Sequence, residues 1–209
     1  MPRLGVVDHP LVRDKLRRLR DVATPPDEFR RLCREITLLA AYEALSDLPV
    51  EPTTVTTPLA VADADRLVEP EPAVVGVLRA GLVMVDAVLE LLPEAAVGHL
   101  GMYRDPVTHL PVDYYAKLPD RMAERAAVVV DPMLATGGSA VHALDRVTGS
   151  GCRDVRLLCI IGCPEGVEAV HAAHPEVPIT LAALDERLDE HAYIVPGLGD
   201  AGDRIFGTR

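Results

Sequence analysis

Apolar positions along this chain fall into two kinds of run, and the two kinds alternate. Short, unbroken, β-branched stretches stand at Val74–Leu78, Ala126–Val130, Val155–Ile161 and Ile179–Leu184. Runs of that length and type suit strands buried on both faces. Between them, apolar residues recur at three- and four-residue spacing. They do so over Leu82–Leu92, then at Ala140, Val141, Ala143, Leu144 and Val147, then from Pro164 to about His174. That spacing is helical. Strand alternating with helix predicts an α/β fold, a parallel sheet flanked by helices on both faces.

The remaining segments are less regular. Val6–Pro10 reads as a short strand or extended lead, and Leu11–Leu19 as an arginine-rich helix. Thr24-Pro25-Pro26-Asp27 signals a second helix, capped by Thr24 and running to about Leu48. Thr53–Leu59, rich in Thr and Val, reads as a strand. Val97–Tyr103 and Val112–Tyr115 alternate around Arg104-Asp105-Pro106-Val107-Thr108, which predicts a β-hairpin flap. No repeat, low-complexity tract or linker divides the sequence, so residues 1–209 read as one domain.

Composition narrows the class. With 49% hydrophobic and 25% charged residues the chain has the balance of a globular protein. Aromatics are only 3% and Trp is absent, so Val, Leu and Ala must fill the core. A net charge of −11 argues against a nucleic-acid-binding surface. No segment approaches the ~18 apolar residues that span a bilayer, and Met1–His9 lacks a signal-peptide core. Neither nucleic acid nor membrane is expected as a partner, and a cytoplasmic location is. Cys33, Cys152, Cys159 and Cys163 show no zinc-ligand spacing and read as reduced, core or half-buried thiols. His171 and His174 could share a helix face, but without a third ligand they read as a solvated helix edge.

The stretch that carries chemistry is Val128-Val129-Val130-Asp131-Pro132-Met133-Leu134-Ala135-Thr136-Gly137-Gly138-Ser139-Ala140. A buried strand ends in one carboxylate, and a short loop closes on Thr-Gly-Gly-Ser before a helix begins. The glycines let backbone N–H groups approach an anion, and the helix N-terminus adds a favourable dipole. Thr136 and Ser139 can donate hydroxyl hydrogen bonds to the same phosphate. Asp131, at the strand's carboxyl end, can accept from sugar hydroxyls. Phosphate plus ribose is the ligand this pattern describes. It is not the nucleotide-triphosphate P-loop, because no Gly-Lys-Ser/Thr follows. An ordinary Gly-rich corner is the plain alternative.

Two further segments add to it. Arg79 opens the tight Arg79-Ala80-Gly81 loop at the carboxyl end of a buried strand, where open α/β sheets bind ligands. Near the end, Gly197-Leu198-Gly199-Asp200-Ala201-Gly202 matches GxGxxG formally. Only seven residues follow it, so it cannot be a dinucleotide fingerprint. A backbone-rich loop that reads a small flat ligand is the more economical reading.

Asp131 to Ser139 resembles the loop that holds phosphoribosyl pyrophosphate (PRPP) in type I phosphoribosyltransferases. Pro132 stands where most of them carry a second acid, a departure similar to the uracil phosphoribosyltransferase branch. Leu78-Arg79-Ala80-Gly81-Leu82 resembles that branch's pyrophosphate loop. Met102-Tyr103-Arg104-Asp105 with Pro111–Pro119 resembles its flap, and Ile194–Arg204 its base-binding segment. Asp8-His9-Pro10-Leu11-Val12-Arg13 also matches, with Asp14 in place of a His.

The resemblance implies a type I phosphoribosyltransferase-like fold with a C-terminal base-binding segment, and transfer of the phosphoribosyl group of PRPP to N1 of uracil, giving UMP and pyrophosphate. It implies that PRPP is bound by Arg79, Arg104, Asp131, Pro132, Met133, Leu134, Ala135, Thr136, Gly137, Gly138, Ser139 and Asp200. Uracil falls to Ile194, Gly199, Asp200 and Ala201. Arg79, Arg104, Asp131 and Asp200 are the residues expected to act in catalysis. Mg2+ is implied, held mainly through PRPP and water rather than by direct protein ligands. A homodimer or larger homo-oligomer is implied as well. Activation by GTP stays open, because no separate motif marks a site for it. Two alternatives remain beside this reading: a phosphoribosyltransferase for another base, and a regulatory protein that binds nucleotides and RNA without turnover.

Overall fold

A computed structural model describes residues 3–68, 70–104 and 111–208, with only the backbone of Arg104 and Pro111. The chain starts with β1 (Leu4–Val6), α1 (Pro10–Arg20) and α2 (Pro26–Ala44), then a hairpin of β2 (Val50–Thr56) and β3 (Val61–Leu67). β4 (Ala73–Leu78) and α3 (Leu82–Leu91) lead to the strand pair β5 (Ala96–Arg104) and β6 (Pro111–Lys117). β7 (Ala126–Val130), β8 (Met133–Leu134), α4 (Gly138–Gly149), β9 (Asp154–Gly162), α5 (Pro164–Ala173) and β10 (Ile179–Leu184) follow. β11 (Arg187–Leu188), β12 (Ile194–Val195) and α6 (Ala201–Phe206) close the described chain.

The main sheet has the order β1-β10-β9-β7-β4-β5-β6, with β8 attached to β9. Every pairing in it is parallel except that of β5 with β6. The expected α/β architecture and the hairpin are both present. From β4 the chain winds one way to β5, and from β7 it winds the other way to β9 and β10. The reversal opens a crevice beyond the carboxyl ends of β4 and β7, and that is where an open α/β sheet takes its ligand.

Both faces of the sheet are covered, which explains the unbroken apolar runs. Successive strand residues point to opposite faces. Val74, Val128, Val130, Leu158 and Ile160 pack with Phe29, Leu32 and Ile36 of α2. Val75, Val129 and Leu157 pack with Leu144 and Val147 of α4 on the other side. Apart from Phe29, aliphatic side chains and a few Met and Cys fill both layers, as the composition requires.

Four expectations need correction. Thr24 does not cap α2: the N-cap is Pro25 with no side-chain bond, and the Thr24 hydroxyl donates to the Arg18 carbonyl at 2.6 Å. The helix stops at Ala44 rather than near Leu48. Pro49 disfavours helical geometry at the residue before it, and Ser46 donates back to the Glu43 carbonyl. The strand expected at Thr53–Leu59 is half of a hairpin, which turns at Thr57, whose N–H and hydroxyl both donate to the Ala60 carbonyl. Finally, His171 and His174 do not form a solvated edge. Both Nε2 atoms are buried, and that of His174 lies 3.0 Å from Asp145. Desolvation holds His171 below its ordinary pKa. All four cysteines are free and buried, as expected.

Candidate active site

The loop after β7 is built as part of the sheet rather than hung from it. Asp131 donates its N–H to the Leu158 carbonyl, and the Pro132 carbonyl accepts from Ile160 and Ile161. Met133 and Leu134 then pair with Ile161 and Gly162 of β9. The Leu134 carbonyl accepts from the Cys163 N–H, and the Ala135 carbonyl faces the Cys163 thiol at 3.2 Å. Leu134 itself is in the core. Only its backbone can face a ligand.

After this anchored half, the chain turns into α4 through Gly137 at φ 81°. A Cβ there would meet the Ala169 Cβ at 2.7 Å and the Gly166 carbonyl at 3.0 Å. The left-handed backbone and the contact with α5 both demand glycine. The N-cap Gly137 has no side chain, and the Thr136 hydroxyl accepts from the Gly138 N–H only at 3.5 Å, so the first-turn N–H groups and the helix dipole are placed to meet an anion. Thr136 and Ser139 flank that terminus. Asp131 accepts from the Met133 N–H at 3.3 Å. Burial pushes its carboxyl up to about 7, with only that hydrogen bond opposing.

Arg79 and Ala80 approach from the neighbouring strand, β4. The Arg79 guanidinium is exposed and lies 5.3 Å from the centre of the Phe206 ring. Arg104 lies at the end of β5, opposite Pro111 in register. Its side chain and the tip expected at residues 105–108 lie outside the described residues. The root of this hairpin is tied to α4 through Asp113, which faces His142 at 2.7 Å and Arg146 at 3.0 Å.

The C-terminal segment supplies the opposite wall. Ile194 pairs with Leu188 and its side chain is buried, so it can offer only its main chain. Gly199 and Asp200 are exposed, while Ala201 is buried at the start of α6. Asp200 caps that helix, accepting from the Asp203 N–H at 2.9 Å. A cavity of about 310 Å³ joins the three pieces. Arg79 and Ala80 line one side, Met133 and Ala135 another, and Ile194, Gly199, Asp200 and Ala201 the third. Residues far apart in sequence thus meet around one opening.

Two lining residues, Ala192 and Tyr193, were not singled out in the sequence. Tyr193 is half-exposed and belongs to no motif. Its place after a polar turn gave no periodic signal. Asp185, immediately after β10, was missed because it belongs to no motif.

Among the described residues no cluster of three or more His, Cys, Asp or Glu could cage a metal ion. The cavity holds one exposed carboxylate, Asp200, while Asp131 lies at the end of β7 outside its lining. That donor set fits a cation that keeps most of its bonds to phosphate and water, as Mg2+ does.

A family model described as uracil phosphoribosyltransferase matches residues 6–208. A protein of that name from Symbiobacterium thermophilum is 56% identical over 209 residues, covering 100% of both chains. One from Dictyoglomus thermophilum is 54% identical over 204 residues, covering 98% of this chain and 99% of its own. Among solved structures, the AQ2163 protein from Aquifex aeolicus superposes with a TM-score of 0.92 at 35% identity, covering 97% of each chain. The adenine phosphoribosyltransferase from Trypanosoma brucei, at 15% identity and a TM-score of 0.55, covers 96% of this chain and 89% of its own, and shares the fold.

Proposed function

The chain belongs to the uracil phosphoribosyltransferase family, and from that premise we propose how its residues divide the work of the reaction. The enzyme converts uracil and PRPP to UMP and pyrophosphate, a pentosyl transfer of pyrimidine salvage. The bond from the anomeric carbon to pyrophosphate breaks and its electron pair leaves with pyrophosphate. The bond to uracil N1 forms, and the N1 proton is released. Charge therefore gathers on the leaving group while the ribose turns cationic. Such a reaction needs positioned donors more than covalent chemistry.

In this reading the α4 N-terminus and the backbone of Asp131–Ser139 hold the 5′-phosphate of PRPP. Asp131 accepts from the ribose hydroxyls. Arg79, together with Arg104 from the flap, neutralises pyrophosphate as it departs. Asp200 is the carboxylate that would help hold a Mg2+ ion carried in by PRPP and water, and such an ion would supply shielding of the pyrophosphate charge. Uracil lies against the main chain of Ile194, Gly199 and Ala201, whose peptide groups match its carbonyls and N–H groups. The observation that carries the reading is the shared cavity, which brings Arg79, Met133 and Ala135 within reach of Gly199–Ala201. The alternative of an RNA-binding regulator has no comparable support, given the net charge of −11.

Several features support the wider setting. Exposed Val50, Leu59 and Val61 on the β2–β3 hairpin favour a homo-oligomer that covers them. The exposed guanidinium groups of Arg13 and Arg17 on α1 are the surface we would assign to a GTP effector. Four free, buried thiols and the absence of a long apolar helix among the described residues suit a cytoplasmic enzyme. The test is a steady-state assay with PRPP, Mg2+ and, in parallel, uracil, cytosine, orotate and hypoxanthine. Turnover confined to uracil is expected. Equal or greater turnover with another base would overturn the assignment.

A further inference from the structure

The wall assigned to uracil has little secondary structure of its own. Between the two-residue strand β12 and the six-residue helix α6 stand Pro196-Gly197-Leu198-Gly199-Asp200, in no helix or strand. A loop that reads a base through peptide groups must hold those groups to within a few tenths of an ångström. Something outside the loop has to hold it.

What does so is an ion pair between a buried carboxylate and a half-buried guanidinium. Asp185 follows β10 directly, and its N–H donates to the Gly162 carbonyl at 2.8 Å, which fixes it to the sheet. Its side chain is only 5% exposed. Arg20, the last residue of α1, donates Nη1 to Oδ2 at 2.7 Å and Nη2 to Oδ1 at 2.6 Å. The same Asp185 Oδ2 accepts from the Gly197 N–H at 2.8 Å, while Arg20 Nη1 donates to the Gly197 carbonyl at 2.8 Å. Both polar groups of one residue in the loop are thus gripped by one pair. Gly197 allows this because its φ is +58° and a Cβ would lie 2.0 Å from the Ile194 carbonyl.

A second contact continues the same pattern. Arg204 Nη1 donates to the Leu198 carbonyl at 2.9 Å, and Nη2 to the Asp21 carbonyl at 2.5 Å, so the next residue is tied to the end of α1 as well. Such a pair is weak evidence of stability, since desolvation offsets its attraction. Its value lies in fixing one geometry, and a forked guanidinium does this where an ammonium cannot.

We infer that Arg20 and Asp185 are positioning residues for base recognition: by clamping the Gly197 peptide groups they set the geometry in which Ile194 and Gly199–Ala201 present their main chain to uracil. Neither residue lines the cavity, and neither lies in the phosphate loop. The inference rests on the reading of residues 194–202 as the uracil wall. It predicts a split in kinetic constants that a merely structural pair would not produce.

The experiment measures KM for uracil at saturating PRPP, kcat, and PRPP affinity by calorimetry for Arg20→Lys, Asp185→Asn and Ala201→Val. Arg20→Lys keeps the charge but loses the fork, and Asp185→Asn keeps the shape but cannot satisfy three donors. Each should raise KM for uracil about tenfold or more, the effect of losing a charged hydrogen bond. PRPP affinity and kcat should stay within twofold. Should Asp185→Asn fail to fold, Arg20→Lys alone decides. An unchanged uracil KM in a folded variant, or uracil KM and PRPP affinity worsening together, overturns the inference. If Ala201→Val also leaves uracil KM unchanged, the uracil wall itself is misassigned. If only Ala201→Val raises it, the wall stands and the clamp does not.

Discussion

The phosphate loop and the uracil wall face each other across one cavity, yet they are held by different means. Residues 131–135 are stitched to β9 by backbone hydrogen bonds, and α4 continues from them at once. Residues 194–200 rest on a two-residue ladder and on side chains of Arg20, Asp185 and Arg204. A phosphate is recognised by charge and by backbone N–H groups that a strand–loop–helix unit provides locally. A base is recognised by shape and by the direction of its hydrogen bonds. That demands a loop of irregular backbone, and irregular backbone needs distant partners to stay in place.

The largest expected effect breaks the phosphate side. Gly137→Val would force a β-branched residue to φ 81° and drive its side chain into Ala169 and Gly166. PRPP affinity should fall more than about a hundredfold, and stability by about 1–3 kcal/mol, since the strain is built into the fold. Calorimetry and thermal unfolding on the same sample check both. The stability loss follows from the contact with α5, which the sequence alone did not reveal.

Next in size is the leaving group. Arg79→Ala removes one positioned cation and should lower kcat by about 10²–10³-fold with uracil KM nearly unchanged. Stability should move little, because the arginine is exposed and its contact with Phe206 is worth about 0.5–1 kcal/mol. A near-normal kcat at saturating substrates would remove Arg79 from the reaction.

A pH series sharpens the role of Asp131. Desolvation at the end of β7 pushes its carboxyl up to about 7. The ribose hydroxyls need the ionised form as acceptor, so PRPP affinity should weaken as pH falls below about 7, by up to about tenfold per unit. The comparison is with Asp131→Asn, which should bind weakly and lose this part of the pH dependence. The sign for stability is the opposite. The protonated form is the one favoured by folding, so the free protein loses stability as pH rises from about 4 to about 7, and Asp131→Asn removes that slope. A wild-type and variant slope that coincide would show that Asp131 is already ionised.

The smallest effect concerns the uracil wall. Ala201 is buried at 4% exposure, and Val there would crowd the base. KM for uracil should rise about tenfold, consistent with roughly 1–3 kcal/mol for an overpacked methyl pair, with PRPP affinity little changed. Asp200→Asn should lower kcat more than base affinity, since it removes a charge near pyrophosphate while keeping an acceptor for the Asp203 N–H.

The same contrast explains what the sequence disclosed. The β4, β7, β9 and β10 strands were legible because burial on both faces leaves continuous apolar runs, and the phosphate loop because it joins such a run to a helix. The β2–β3 hairpin was half missed because Val61–Leu67 carries Asp63, Asp65 and Arg66 on an exposed ribbon that belongs to neither hydrophobic core, and its inward positions are only alanines. Thr24 looked like a cap because its type is right, but the N-cap position falls on Pro25 and the Thr24 hydroxyl donates back to the Arg18 carbonyl. Gly197–Gly202 was visible as a glycine-rich loop. Its clamp was not, since Arg20 and Asp185 are 165 residues apart and neither belongs to a motif.

Hydrogen–deuterium exchange of the backbone amides tests the division most directly. PRPP with Mg2+ should protect the amides at Gly137–Ala140 and leave Gly199 and Ala201 close to their free rates. UMP, which carries both ribose phosphate and base, should protect both segments. Protection of Gly199–Ala201 by PRPP alone, unchanged by the base, or no protection at Gly137–Ala140 with either ligand, would contradict the account.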